Sequence, residues 1–129
     1  MGRSLMRVLA AAVVLGFGGA ASAAEGNAEA GEDVYKKCRA CHDVGENAKN
    51  KVGPILNGIV GRKAGTVEGF RYSPANVKAG EEGLVWTEEE LFKYLENPRA
   101  HMPGNRMAFA GLRDEQERRD VIAYLKKFQ

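Results

Sequence analysis

What this chain has little of narrows it first. It contains two cysteines, Cys38 and Cys41, and two histidines, His42 and His101. Because His101 follows the cysteines by about sixty residues, four zinc ligands at short spacing cannot be assembled. No βαβ alternation surrounds the cysteine pair, so the usual setting of a thioredoxin-like dithiol is missing too, and disulfide chemistry stays as an alternative that thiol titration would expose. The apolar run Val8 to Phe17 is shorter than the roughly twenty residues a spanning helix needs and has no stop-transfer flank. No internal repeat or low-complexity tract is present.

What fills the first 24 positions is a secretory leader: Arg3 and Arg7 form a basic start, Val8 to Phe17 an apolar centre, and Ala21-Ser22-Ala23-Ala24 a small-residue exit. An uncleaved anchor is the alternative. Export puts residues 25–129, a single domain by length, in an oxidising compartment, the periplasm. Removing Arg3 and Arg7 from the 19 basic side chains leaves 17 against 17 acidic ones. A neutral molecule has no overall attraction to nucleic acid or anionic lipid, so neither is expected as a partner, and no stable membrane insertion should follow cleavage. Basic side chains do gather near the cysteine segment and the C-terminal end: Lys36, Lys37, Arg39, Lys49, Lys51, Arg99, Arg106, Lys126 and Lys127.

The stretch that organises everything else is Cys38-Arg39-Ala40-Cys41-His42. Two cysteines two residues apart, with histidine directly after the second, is the attachment sequence of c-type haem. One turn of chain sets two thiols against two vinyl groups, and the imidazole that follows is carried under the iron. One haem c is therefore the expected cofactor. A small chain with 16 glycines gains from it a large apolar interior.

Around this motif the periodicity is helical at both ends. Gly31, Val34, Tyr35 and Cys38 stand at i, i+3, i+4, i+7, predicting a helix from Asn27 to about Arg39. Thr87 with Glu90 forms a capping box before Leu91, Phe92, Tyr94 and Leu95, and Pro98 marks the end of that helix. Asp114 with Glu117 resembles a second cap, opening a last helix with Val121, Tyr124, Leu125 and Phe128 on one face and Lys126 and Lys127 in its final turn. Between them, from Asp43 to about Glu82, turn signals such as Gly53-Pro54 and Ser73-Pro74 dominate, with a short helical turn at Asn76-Val77-Lys78. The fold class is all-α: three main helices plus long loops wrapped around one cofactor.

A carrier of single electrons keeps its iron coordination in both oxidation states, which calls for a second axial ligand. His101, Met102 and Met107 are candidates, with lysine more remote. A thioether favours ferrous iron and raises the potential. Residue chemistry alone does not choose between the two methionines.

Leu84 to Pro98, followed by Pro103-Gly104-Asn105-Arg106-Met107-Ala108-Phe109-Ala110-Gly111-Leu112, resembles the class I cytochromes c, and among them the mitochondrial-like soluble bacterial carriers of the cytochrome c-two group. The resemblance covers essentially all of residues 25–129. It puts the axial sulfur on Met107, opposite His42, and makes the Pro54 carbonyl the acceptor for the ligand histidine. Arg62, Tyr72, Asn76 and Trp86 match the segment around the haem propionates. Tyr94 and Asn105 match polar neighbours of the methionine, Phe109 the aromatic at the haem edge, and Gly31 with Tyr124 the crossing of the terminal helices. Asn105 stands where the mitochondrial type usually has threonine, Arg106 replaces a common lysine, Ala108 is smaller than usual, and the segment before Cys38 is one residue shorter. The resemblance implies a monomeric electron carrier and not an enzyme. It would shuttle electrons, through brief electrostatic encounters, from a quinol-oxidising cytochrome complex to a terminal oxidase or photosynthetic reaction centre in the membrane. A small haem peroxidase or gas binder, with a labile iron position, is the competing reading, as is a carrier fixed to one dedicated partner.

Overall fold

The computed structural model describes residues 11–13, 16 and 25–129; nearly all of the leader reading falls outside the described residues. Helix α1, Ala28–Tyr35, begins where the Asn27 side chain accepts from the Ala30 amide at 3.0 Å. It buries Gly31, Val34 and Tyr35, the face its periodicity marks, but stops four residues short of Arg39. The chain then tightens into turns, with Cys38 N bonded to Tyr35 O at 2.8 Å and His42 N to Cys38 O at 3.0 Å. The attachment motif thus lies on a compact bend directly after the helix.

Two short helices lie in chain that the sequence reads mainly as turns: the helical turn expected at Asn76-Val77-Lys78 is a full helix, and a second follows Asn97. Helix α2, Pro74–Glu81, is capped by Ser73, whose hydroxyl accepts from the Asn76 amide at 3.2 Å. Pro74 sits in the first turn, where its missing N–H costs nothing. Helix α3, Glu88–Glu96, follows Thr87; helix α4, Pro98–His101, repeats the device of α2 with Asn97 as cap and Pro98 in the first turn. Each proline therefore starts a helix as well as ending the segment before it. Helix α5, Glu115–Leu125, is capped by Asp114.

Both expected capping boxes are half-built. Thr87 and Asp114 accept from the amides of Glu90 and Glu117, at 3.1 and 3.0 Å. The two glutamates turn outward instead, Glu90 to His101 at 2.7 Å and Glu117 to Lys37 at 3.2 Å. Lys126 likewise is the C-cap of α5, beyond its last turn, and reaches Glu88 at 3.0 Å.

The first and last helices close the molecule. A Cβ on Gly31 would overlap the Asp120 carbonyl of α5, so only glycine permits this approach. Tyr35 and Tyr124 pack with ring centroids 5.3 Å apart across the crossing. Buried Asp120 accepts from the Asn27 amide at 2.8 Å, which fastens the start of α1 to α5, and from Gln116 Nε2 of its own helix at 2.8 Å. Residues 43–72 contribute one antiparallel bridge, Lys63 to Val85, and are otherwise irregular. They are held by side chains: Asn57 exchanges two hydrogen bonds with Gly45, at 3.1 and 2.8 Å. Among the described residues no helix is long and apolar enough to cross a membrane.

Candidate haem site

Cys38 and Cys41 are both half-buried free thiols. Burial pushes the Cys38 thiol up to about 11, so it stays protonated. On the same bend, His42 turns its Nδ1 onto the Pro54 carbonyl at 2.7 Å. A neutral imidazole that donates from Nδ1 presents Nε2 as its coordinating nitrogen, and burial lowers the His42 pKa and favours that neutral form. Gly53 makes room for the ring, since a Cβ there would collide with the imidazole. Tyr35, on α1, donates to the His42 carbonyl at 3.0 Å and fixes the backbone behind it.

The distal candidates separate clearly. Met102 is 6 % exposed and belongs to the apolar core; His101 lies toward the surface, bonded to Glu90. Met107 is half-buried against the core, and its Sδ accepts from the Tyr94 hydroxyl at 3.8 Å. Burial raises Tyr94 to about 12, so that hydroxyl remains a donor throughout the physiological range. Trp86 packs on Tyr94 with ring centroids 4.8 Å apart. Asn105 Oδ1 accepts from the Met107 amide at 2.9 Å, and the Phe109 amide returns to the Met107 carbonyl at 2.9 Å.

The residues matched to the propionate surroundings fall into one connected region. Arg62 Nη1 donates to the carbonyls of Ile55 and Asn57, at 3.1 and 3.0 Å, fastening the loop after Pro54. Burial lowers the Arg62 pKa while Tyr72 opposes that shift, and the rest of its fork is available to an anion. Tyr72 accepts from the Val67 amide at 3.0 Å. Trp86 pairs through its backbone with Gly61 and Arg62, at 2.8 Å each. Asn76, in the first turn of α2, has a buried amide oxygen with no protein partner. The two ends of an amide are interchangeable by a flip, so this group suits a carboxylate partner.

These features fit a covalent haem. Two unbridged thiols flank a proximal imidazole that is already oriented, a soft sulfur carries one phenolic neighbour, and an unmatched amide with a half-used guanidinium stands in the propionate region. Asn57, Lys51 and Tyr35 support the site without a sequence signal for that role. Lys51 Nζ, for example, donates to the Arg39 carbonyl at 2.8 Å, a contact between loops that no period encodes.

Comparison with known proteins agrees with this geometry. The family model for cytochrome c matches residues 28–129. Cytochrome c2 of Blastochloris viridis is 52 % identical over 108 residues, covering 84 % of this chain and 83 % of the relative. Cytochrome c-550 of Nitrobacter winogradskyi is 48 % identical over 103 residues, covering 80 % of this chain and 92 % of the relative. The solved structure of cytochrome c2 from Rhodospirillum centenum superposes with a TM-score of 0.78 at 47 % identity, covering 81 % of this chain and 99 % of that one. The chain belongs to the cytochrome c family, in its class I c2 group: an all-α electron carrier with one haem c, whose attachment motif Cys38 and Cys41 fit, and not an enzyme.

Proposed function

We propose that the protein is a soluble periplasmic one-electron carrier whose iron is held by His42 Nε2 and Met107 Sδ, after removal of a leader spanning residues 1–24. The observation that carries this reading is that each candidate ligand has its own hydrogen-bonding neighbour, Pro54 O at 2.7 Å from His42 Nδ1 and Tyr94 OH at 3.8 Å from Met107 Sδ. The cofactor, when bound, supplies a metal that cycles between ferric and ferrous states. The chain supplies the rest: Pro54 orients the imidazole and raises its donor strength, Tyr94 donates to the Met107 sulfur, and Asn105 holds the Met107 amide. Fixed ligands in both states minimise reorganisation at each transfer. An absorption spectrum of the exported protein with a redox titration is the direct test. The expected result is a single one-electron wave with a ferric charge-transfer band at the red end of the spectrum; absence of that band, with ready carbon monoxide binding, favours a gas binder or peroxidase.

Partners of this reading are a quinol-oxidising cytochrome complex as donor and a terminal oxidase or photosynthetic reaction centre as acceptor, met as a monomer in brief encounters. Arg39, Lys49, Lys51, Arg99 and Arg106 are exposed on segments that border the site. Facing an acidic dock they raise the arrival rate more than the affinity. The bimolecular transfer rate should fall severalfold as ionic strength rises from about 0.01 to 0.15 M, over which the screening length shrinks from about 30 to 8 Å. A rate indifferent to salt removes the electrostatic part of the reading.

A further inference from the structure

We propose that Asn105 is a positioning residue that clamps Met107 into the site, its amide committed to the backbone around it and not to a carboxylate of the cofactor. The proposal rests on Met107 being the axial sulfur. Asn105 Nδ2 donates to two carbonyls, Pro98 O at 2.9 Å and Met102 O at 2.8 Å. Its Oδ1 accepts from the Met107 amide at 2.9 Å. Both N–H donors are therefore spent, and no donor remains for a carboxylate.

The three bonds have a definite mechanical layout. Pro98 opens α4 and is almost wholly buried, and Met102, its C-cap, is anchored in the core. The chain then reverses at Pro103-Gly104 and must deliver Met107 beneath Tyr94. Asn105 ties the outgoing strand of that reversal to both ends of α4, while the Leu112 amide, bonded to Leu95 O at 2.7 Å, pins the far side of the loop to α3. Threonine at this position, with one hydroxyl donor, could hold the Met107 amide and one carbonyl but not both carbonyls. The asparagine is thus a stiffer clamp, one that keeps the sulfur from being displaced by an outside ligand.

The test compares ferric holoprotein with Asn105→Ala, Asn105→Thr and Asn105→Asp, titrating each with imidazole and measuring hydrogen exchange at the Met107 amide. Loss of three hydrogen bonds should let imidazole displace the sulfur about a hundredfold more readily in Asn105→Ala, and loss of one about fivefold in Asn105→Thr. Asn105→Asp keeps the acceptor for Met107 but sets oxygen against the two carbonyls, and should resemble Asn105→Ala. It carries the test with Asn105→Thr should the alanine variant not fold. Protection of the Met107 amide should fall in the same order. Imidazole affinity and Met107 protection unchanged in these variants would overturn the clamp, as would unchanged affinity with an altered pH dependence of the potential, the signature of a carboxylate contact. If the unsubstituted protein lacks the charge-transfer band, the His/Met reading fails and the clamp on an axial ligand falls with it, even where a drop in Met107 protection shows that Asn105 holds that amide; the band present with affinity and protection unchanged in the variants overturns the clamp alone.

Discussion

Replacing Met107 with alanine should lower the reduction potential by a few tenths of a volt and open the ferrous iron to carbon monoxide. Axial ligands shift haem potentials over a range of about 0.8 V, and a thioether sits toward its upper end because it favours ferrous iron. Neither His101 nor Met102 is placed to replace the sulfur. His101 is held on the outer side by Glu90 at 2.7 Å, and Met102 is packed in the core at 6 % exposure. Met102→Ala is the informative companion: it should cost about 2–5 kcal/mol of stability, as large-to-small changes in a core do, with the potential nearly unmoved. Potentiometric titration of both variants separates ligand from core filler. Equal potentials for Met107→Ala and the parent protein would remove Met107 from the iron.

Gly31→Val should destabilise the fold by about 3 kcal/mol, lowering the midpoint of thermal unfolding by about 15 °C. Two effects oppose each other here. Any side chain on a mid-helix glycine relieves up to about 1 kcal/mol of backbone entropy. Against this, a Cβ at Gly31 overlaps the Asp120 carbonyl and comes to 2.8 Å of the Tyr124 Cβ, so α1 must back away from α5. Backing away also stretches the bond that the Asn27 amide makes to Asp120, worth about 1 kcal/mol. The steric loss wins. Calorimetry or circular dichroism melts would show it, with Gly31→Ala intermediate; a melting point equal to or above that of the parent would mean that α1 and α5 do not cross at Gly31.

The parts of the fold that could be read from sequence are those that repeat. Val34 and Tyr35 with Gly31, and Val121 with Leu125, mark the buried faces of α1 and α5 because a helix writes its inner side every three or four residues. Ser73-Pro74 signals a turn and Pro98 the end of a helix, yet a capping residue followed by proline also opens a helix; α2 is therefore longer than the turn expected at Asn76-Val77-Lys78, and α4 has no periodic signal of its own. The outward swing of Glu90 depended on His101, eleven residues away on another helix, which local capping rules do not consider. Within the site, the attachment motif is contiguous and legible by itself. The His42–Pro54 and Tyr94–Met107 contacts span 12 and 13 residues through chain with no period, so only the family resemblance suggested them. Asn105 was matched as a polar neighbour of the sulfur; its three-way use of one amide follows from backbone carbonyls that converge at the bend after α4.

Because the Asn27 amide reaches Asp120 across 93 positions of chain, the path from α1 to α5 is nearly a closed ring, joined at its own seam. A ring sealed there tolerates changes in circumference. Doubling a flexible loop adds only about 0.6 kcal/mol of closure entropy, so the parts of residues 43–72 away from Gly53, Pro54 and Arg62 can gain or lose residues without pulling on the seam. Length in this architecture is free to drift along the rim, while the seam and the bend that carries Cys38, Cys41 and His42 must keep their dimensions.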